Sequence, residues 1–335
     1  MRRDPPKGSM DTQARAATHW ADMGESTFAA GIWLLYGVHR VLGRLPLRVL
    51  LYPVVFYHWL MHPAARRASL EYLQRMQQAH GVIGAAPGWR HTLRHFLSFA
   101  ETIVDKTLAF SGHYRFENVR FTGREAVDAL IARGQGAILV TAHIGCLELC
   151  QASAARQPGL KLTVLVHTRH AERFNRVLRR LDPHCPVKLL QVTEVDAATA
   201  VLLAERVAAG EFVAIAGDRV PVVAGKTAQA PFLGHRAPFP VGAYVLASLI
   251  KCPLYLLGCV RTPQGHLVHF EPLADRVDLP RRERAESLAR LTGLFARRLE
   301  ALLVRAPYDW FNFFPFWAQP TALPTLKKAH EGPVA

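Results

Sequence analysis

Residues 141 to 148 read TAHIGCLE and directly follow the apolar run GAILV. They place His143 five positions before Glu148. An imidazole beside a carboxylate is a minimal device for taking a proton from a hydroxyl: the carboxylate keeps one ring nitrogen protonated, and the other nitrogen offers its lone pair as a general base. On one continuous α-helix, five residues turn the second side chain about 140° away from the first, so the two could not share a face. The spacing works if a strand ends at Ala142 and His143 stands at its carboxyl edge. Gly145 then permits the turn, and a helix beginning near Cys146 carries Glu148 in its first turn, from where it reaches back to the ring. The hydroxyl comes from the substrate, in the place that the serine holds in a Ser-His-Asp triad.

Other polar groups follow other strand-like runs. FVAIAG (212 to 217) ends in Gly217 and leads into Asp218 and Arg219, and LTVLVH (162 to 167) leads through His167 into Thr168 and Arg169. In open α/β sheets these carboxyl edges are where ligands bind. Ile144, Gly145, His167, Thr168, Arg169, Gly217, Asp218 and Arg219 are therefore the candidates for holding the donor and the acceptor. Arg219 suits phosphate binding or an oxyanion; a surface ion pair is the bland alternative. A helix expected over Glu172 to Leu181 carries Phe174, Val177, Leu178 and Leu181 on one face, with Arg173, Arg176 and Arg180 opposite, joined by Arg169 if the helix starts early enough. Arg173 and Arg176 suit an acidic carrier protein or headgroup phosphates, or simply solubilise that face. Cys146, at a helix start, is a second possible nucleophile. No G-x-S-x-G elbow is present, and the spacing of histidines such as His113, His184 and His235 suggests no metal.

The elements that must position these residues alternate. Strand-like runs at 136 to 142, 162 to 167, 212 to 217 and 253 to 260 are separated by helical patterns at 146 to 156, 172 to 181, 197 to 209 and 241 to 250. That order predicts an α/β fold with a mixed, largely parallel sheet flanked by helices. RRERAESLARLTGLFARRLEALLVRAP is a basic amphipathic helix, read as a solvated cover on the sheet. YDWFNFFPFW after it is either a last core strand or a bilayer contact. Residues 64 to 112 show helical spacing throughout. The expected organisation is a tail over 1 to 24, a helical membrane-associated lead-in over 25 to 112, an α/β catalytic domain over 113 to 320 and a second tail over 321 to 335.

Half of the 335 residues are hydrophobic and 20% are charged, with a slightly positive mean hydropathy, which suits a protein that touches a membrane. From Phe28 to Met61 the chain is apolar and aromatic, but arginines and prolines interrupt every stretch of eighteen. Two shorter segments seated on or in the bilayer fit better than one clean span. The formal net charge of +15 calls for anionic partners. The apolar lead-in favours a membrane surface or an acidic carrier over nucleic acid. Five cysteines without metal or disulfide spacing point to a reducing compartment.

GQGAILVTAHIGCLELC resembles the H-x4-D/E signature of the glycerolipid and lipid A acyltransferases, in the form used by the late acyltransferases of lipid A biosynthesis. VLVHTRHAERFNRVLRRL, AIAGDRV, PFPVGAYVLASLIKCPLYLLGCV and APYDWFNFFPFW follow in the family's order, so the resemblance covers roughly residues 25 to 320. It implies acyl transfer from a thioester, usually acyl carrier protein or otherwise coenzyme A, to a hydroxyl of a lipid or glycolipid at the cytoplasmic face of the bacterial inner membrane, with no cofactor. It also assigns His143 as base and Glu148 as its orienting partner. GDR replaces the usual P-D-H/Q pattern, and residues 221 to 233 keep only a loose likeness, so the acceptor need not be lipid A. The chain is also similar to acyltransferases of aryl polyene pathways. An inactive membrane-surface scaffold and an acyl-thioester hydrolase are the competing readings.

Overall fold

The structure is a computed structural model that describes residues 37–38, 44–110, 113–154, 160–166, 187–191, 197–220 and 227–318. Three helices lead, α1 (Arg44–Met61), α2 (Pro63–His80) and α3 (Trp89–Phe110). Then come β1 (Val119–Thr122), α4 (Arg124–Ala132), β2 (Ile138–Thr141), α5 (Leu147–Ala154), β3 (Leu162–Val166), β4 (Val187–Gln191), α6 (Ala197–Ala208) and β5 (Phe212–Ala216). The chain continues with β6 (Thr227–Phe232), β7 (His235–Pro240), α7 (Gly242–Ile250), β8 (Leu254–Thr262), β9 (Gly265–Ala274) and α8 (Arg284–Arg305).

Seven strands form one sheet in the order β1-β9-β8-β2-β5-β3-β4. Every neighbouring pair is parallel except the β8–β9 hairpin, and β6 with β7 makes a separate antiparallel hairpin. This is the expected mixed, largely parallel sheet flanked by helices. The four strand expectations fall on β2, β3, β5 and β8. The helix expected over 172 to 181 lies outside the described residues, as do both tails.

β2 shows why its sequence reads as an unbroken apolar run. Side chains alternate between the two faces of a strand, and here both faces are covered. Ile138 and Val140 join a core with α8, α7 and the β6–β7 hairpin, while Leu139 joins Phe212, Tyr255 and Leu257 under α1, α3 and α5. In α8, Leu288, Leu291, Phe295, Leu299 and Leu302 recur every three or four residues and are buried, so this helix is a cover on the sheet. Truncating one of those leucines should cost about 2–5 kcal/mol.

The helical lead-in shares these cores. Leu47 and Leu51 of α1 pack with Val104 and Leu108 of α3, and Tyr72, Leu73 and Met76 of α2 belong to the α8 side. The register of α3 is pinned by buried charge. Asp105 is fully buried and accepts from Arg261 Nη2 at 3.0 Å, and Arg261 also pairs with Glu101. Ser98 donates to Asp309 Oδ1 at 2.8 Å, and the Arg261 amide donates to Asp309 Oδ2 at 2.6 Å. Among the described residues, no helix is long and apolar enough to cross a membrane.

Candidate active site

β2 and β5 are parallel neighbours at the middle of the sheet, with Thr141 paired to Ala216. Equal overhang beyond that pair brings His143 beside Asp218. The Gly217 amide, bonded to the Thr141 carbonyl at 2.8 Å, extends the ladder by one rung. Asp218 takes the imidazole at Nδ1, 2.8 Å from Oδ1, and the His143 backbone amide, 2.8 Å from Oδ2. A carboxylate only accepts, so Nδ1 carries the proton and Nε2 keeps its lone pair. Among the described residues Nε2 makes no hydrogen bond. The ring is 35% exposed, whereas Asp218 is fully buried.

The chain after α8 completes this arrangement. Residues 309 to 312 cross the turn that follows β2: the Gly145 amide donates to the Asp309 carbonyl at 2.7 Å, Ile144 forms an isolated antiparallel bridge with Trp310, and the Phe311 amide donates to the His143 carbonyl at 2.8 Å. Gly145 has φ +53°, and a Cβ there would collide with the Cys259 carbonyl, so the turn needs glycine twice over. From the same crossing, Trp310 Nε1 donates to Asp218 Oδ2 at 3.1 Å and Asn312 Nδ2 donates at 2.8 Å.

Trp310 is itself fixed. It is fully buried among Tyr72, Phe232 and Phe316, and its carbonyl lies 2.8 Å from His95 Nε2. Burial holds the His95 pKa down at about 4 against the pull of that carbonyl. The ring is therefore neutral near pH 7, with Nε2–H donating to Trp310 and Nδ1 accepting from the Ser69 hydroxyl at 2.9 Å.

Burial alone would raise the Asp218 carboxyl. The His143 ring, its hydrogen bonds and Arg219 outweigh it and bring the pKa down to about 2. The His143 pKa is lowered from 6.5, first by loss of water around the ring and then by Arg219, against the pull of Asp218. The site thus pairs an ionised carboxylate with a neutral imidazole at pH 7, the protonation state a general base needs. Arg219 is held by Asn312 Oδ1 at 3.0 Å from Nε and by the Phe311 carbonyl at 3.2 Å from Nη2. Its cation is thereby fixed near the imidazole.

A family model described as bacterial lipid A biosynthesis acyltransferase matches residues 26–319. The chain belongs to that family. It is an acyltransferase, and the resemblance expected from TAHIGCLE is shown. A comparison with curated proteins finds no match.

In this acyltransferase the expected His143–Glu148 contact is absent. Glu148 does lie in the first turn of α5, as expected, but its carboxylate pairs with Lys106 of α3 and accepts from Cys146 Sγ at 3.9 Å. The carboxylate on the histidine is Asp218, because strand register delivers Asp218 to Nδ1 while α3 claims Glu148 first. Cys146 is buried, and burial followed by the nearby Glu148 pushes its thiol well up, so a thiolate nucleophile is disfavoured.

Gly145, Gly217, Asp218 and Arg219 meet around His143 in the acyltransferase. Ile144 contributes its backbone, while its side chain is buried in the core. His167, Thr168, Arg169, Arg173 and Arg176 lie outside the described residues. Sequence reasoning did not single out Trp310, Asn312 and Lys106. An asparagine set among aromatics in DWFNFF is a signal for Asn312. Lys106 carries none, being one cation on a long amphipathic helix.

Proposed function

We propose that the acyltransferase moves a fatty acyl group from a thioester, on acyl carrier protein or coenzyme A, to a hydroxyl of a lipid, glycolipid or aryl polyene-type acceptor. His143 is the general base and Asp218 is its orienting partner. The observation that carries this is the Asp218–Nδ1 bond, which leaves Nε2 as a lone pair at the open carboxyl edge of the sheet. Nε2 takes the proton of the acceptor hydroxyl as its oxygen attacks the thioester carbonyl carbon. The carbonyl pair moves to oxygen, the tetrahedral intermediate collapses, and the expelled thiolate recovers the proton from the imidazolium. With a pKa near 2, Asp218 stays ionised throughout and stabilises the imidazolium without accepting its proton. Arg219 is the fixed cation toward which the oxyanion can develop.

Work at a membrane surface is supported by α1. Its inward face carries Leu47, Leu51 and Val55, yet Val49, Tyr52, Val54, Phe56, Tyr57 and Met61 are exposed on the rest of it, with Trp89 exposed near Trp59. A helix that exposes this many large apolar side chains suits a lipid contact, here seated on the cytoplasmic face of the inner membrane. The test is incubation of the full chain with radiolabelled acyl-acyl carrier protein, or acyl-coenzyme A in parallel, and a total bacterial lipid and pigment extract. Label in an ester-linked product with wild type and none with His143→Ala is the expected result. Label in no acceptor for any chain length tried would leave the scaffold reading standing, and label released as free acid would establish the hydrolase.

A further inference from the structure

With Nδ1 of His143 occupied by Asp218, the glutamate of the H-x4-E motif needs another role. Resting on the reading of His143 as base, we infer that Glu148 acts through Lys106. The two form a second functional pair that holds one ammonium beside the imidazole, and Lys106 is a positioning residue of the site.

Three observations carry this. Glu148 lies in the first turn of α5, and its Oε1 is on the Lys106 ammonium, while Oε2 accepts from the Cys146 thiol. α3 is placed by the residue next to Lys106, since buried Asp105 is bonded to Arg261, so the lysine is delivered by a rigid element. Both partners stay partly open, at 21% and 18% exposure, and the pair stands at the start of α5, with Glu148 five residues after His143. Among the described residues, the charged groups that bear on the imidazole are Asp218 and Arg219 from the end of β5 and Lys106 from α3, with Glu148 of α5 holding Lys106. Lys106 also bears on the ring, favouring its neutral form. A cation fixed there keeps the base unprotonated and lowers the energy of negative charge forming on the thioester oxygen.

The test is a double-mutant cycle on the full chain with the label-transfer assay, joined to NMR titration of the His143 ring, assigned by its loss in His143→Ala. Lys106→Met and Glu148→Gln should each slow transfer by about 10- to 100-fold, with the double variant no slower than the worse single. Lys106→Arg should recover most of the rate. The His143 midpoint should rise in Lys106→Met and stay put in Lys106→Arg. Losses that multiply in the double variant, a Lys106→Met protein with unchanged rate, or an unmoved midpoint would each overturn the inference. Retained transfer in His143→Ala would instead remove the base reading. The ring titration needs no turnover, so the two failures are distinguishable.

Discussion

Asp218 and Glu148 are two carboxylates near the same strand ends, and the fold uses them in opposite ways. Asp218 is fully buried and accepts from four donors: the His143 ring, the His143 amide, Trp310 and Asn312. Glu148 is partly exposed and holds one ammonium, with a long thiol contact behind it. The first arrangement sets geometry, since a saturated buried carboxylate has one position available. The second sets charge, because Glu148 makes no bond to the ring and instead holds a cation at the start of α5. A motif glutamate next to a histidine is thus insufficient to identify the residue that orients it.

That contrast can be broken from its strongest point. His143→Ala should lower label transfer by about 10³- to 10⁴-fold or more, leaving only what binding and the fixed cation supply. Asp218→Asn should cost nearly as much, on the order of 10⁴ as in triads whose aspartate becomes an amide. Thermal unfolding of this variant would separate lost orientation from lost folding. If Glu148→Gln proved the more damaging of the two carboxylate changes, the ranking of roles would be reversed. Asn312→Ala comes next, at roughly 10-fold or more, because it removes a donor to Asp218 and one of the holds on Arg219 together.

The pH profile sharpens the same comparison. The His143 pKa is lowered, so the rate should rise with pH through a midpoint below 6.5 and level off above it. Its share of folding stability has the same sign: present above 6.5, and lost as pH falls through the lowered value. Arg219→Gln should raise the kinetic midpoint, since Arg219 lowers the His143 pKa. The smallest effect belongs to Cys146→Ala. Transfer should stay within a few-fold of wild type, as expected when a buried neutral thiol takes no chemical part; loss of activity comparable to His143→Ala would point to an acyl-enzyme.

Much of the site could be read from strand ends. His143, Asp218 and Arg219 each follow an apolar run, and parallel register made their meeting predictable once β2 and β5 were neighbours. The partner of Glu148 could not be read locally, because it depends on where Asp105 and Arg261 lock a helix some forty residues earlier in the chain. The sheet was legible at its buried centre and poorly so elsewhere. β6 is built from TAQAPF, with little β-branched content, and β4 is five residues long. β9 does alternate in burial along GHLVHFEPLA, but its histidines and proline dilute the apolar signal. The aromatic run near residue 310 was read as core or bilayer contact. It is core, yet its indole N–H and one asparagine also hold the buried carboxylate bonded to His143, a role that hydrophobicity alone does not announce.

The crossing of residues 309 to 312 over the turn after β2 has a consequence for biosynthesis. A ribosome delivers the chain from its N-terminus, at about 5–20 residues per second. The histidine and its aspartate emerge long before the tryptophan and asparagine that fix the aspartate's second oxygen. A nascent or prematurely terminated chain can therefore contain every strand of the sheet and still lack a finished site. A chain cut short before Trp310 and Asn312 keeps His143 and Asp218 but lacks two of the four donors that hold the Asp218 carboxylate.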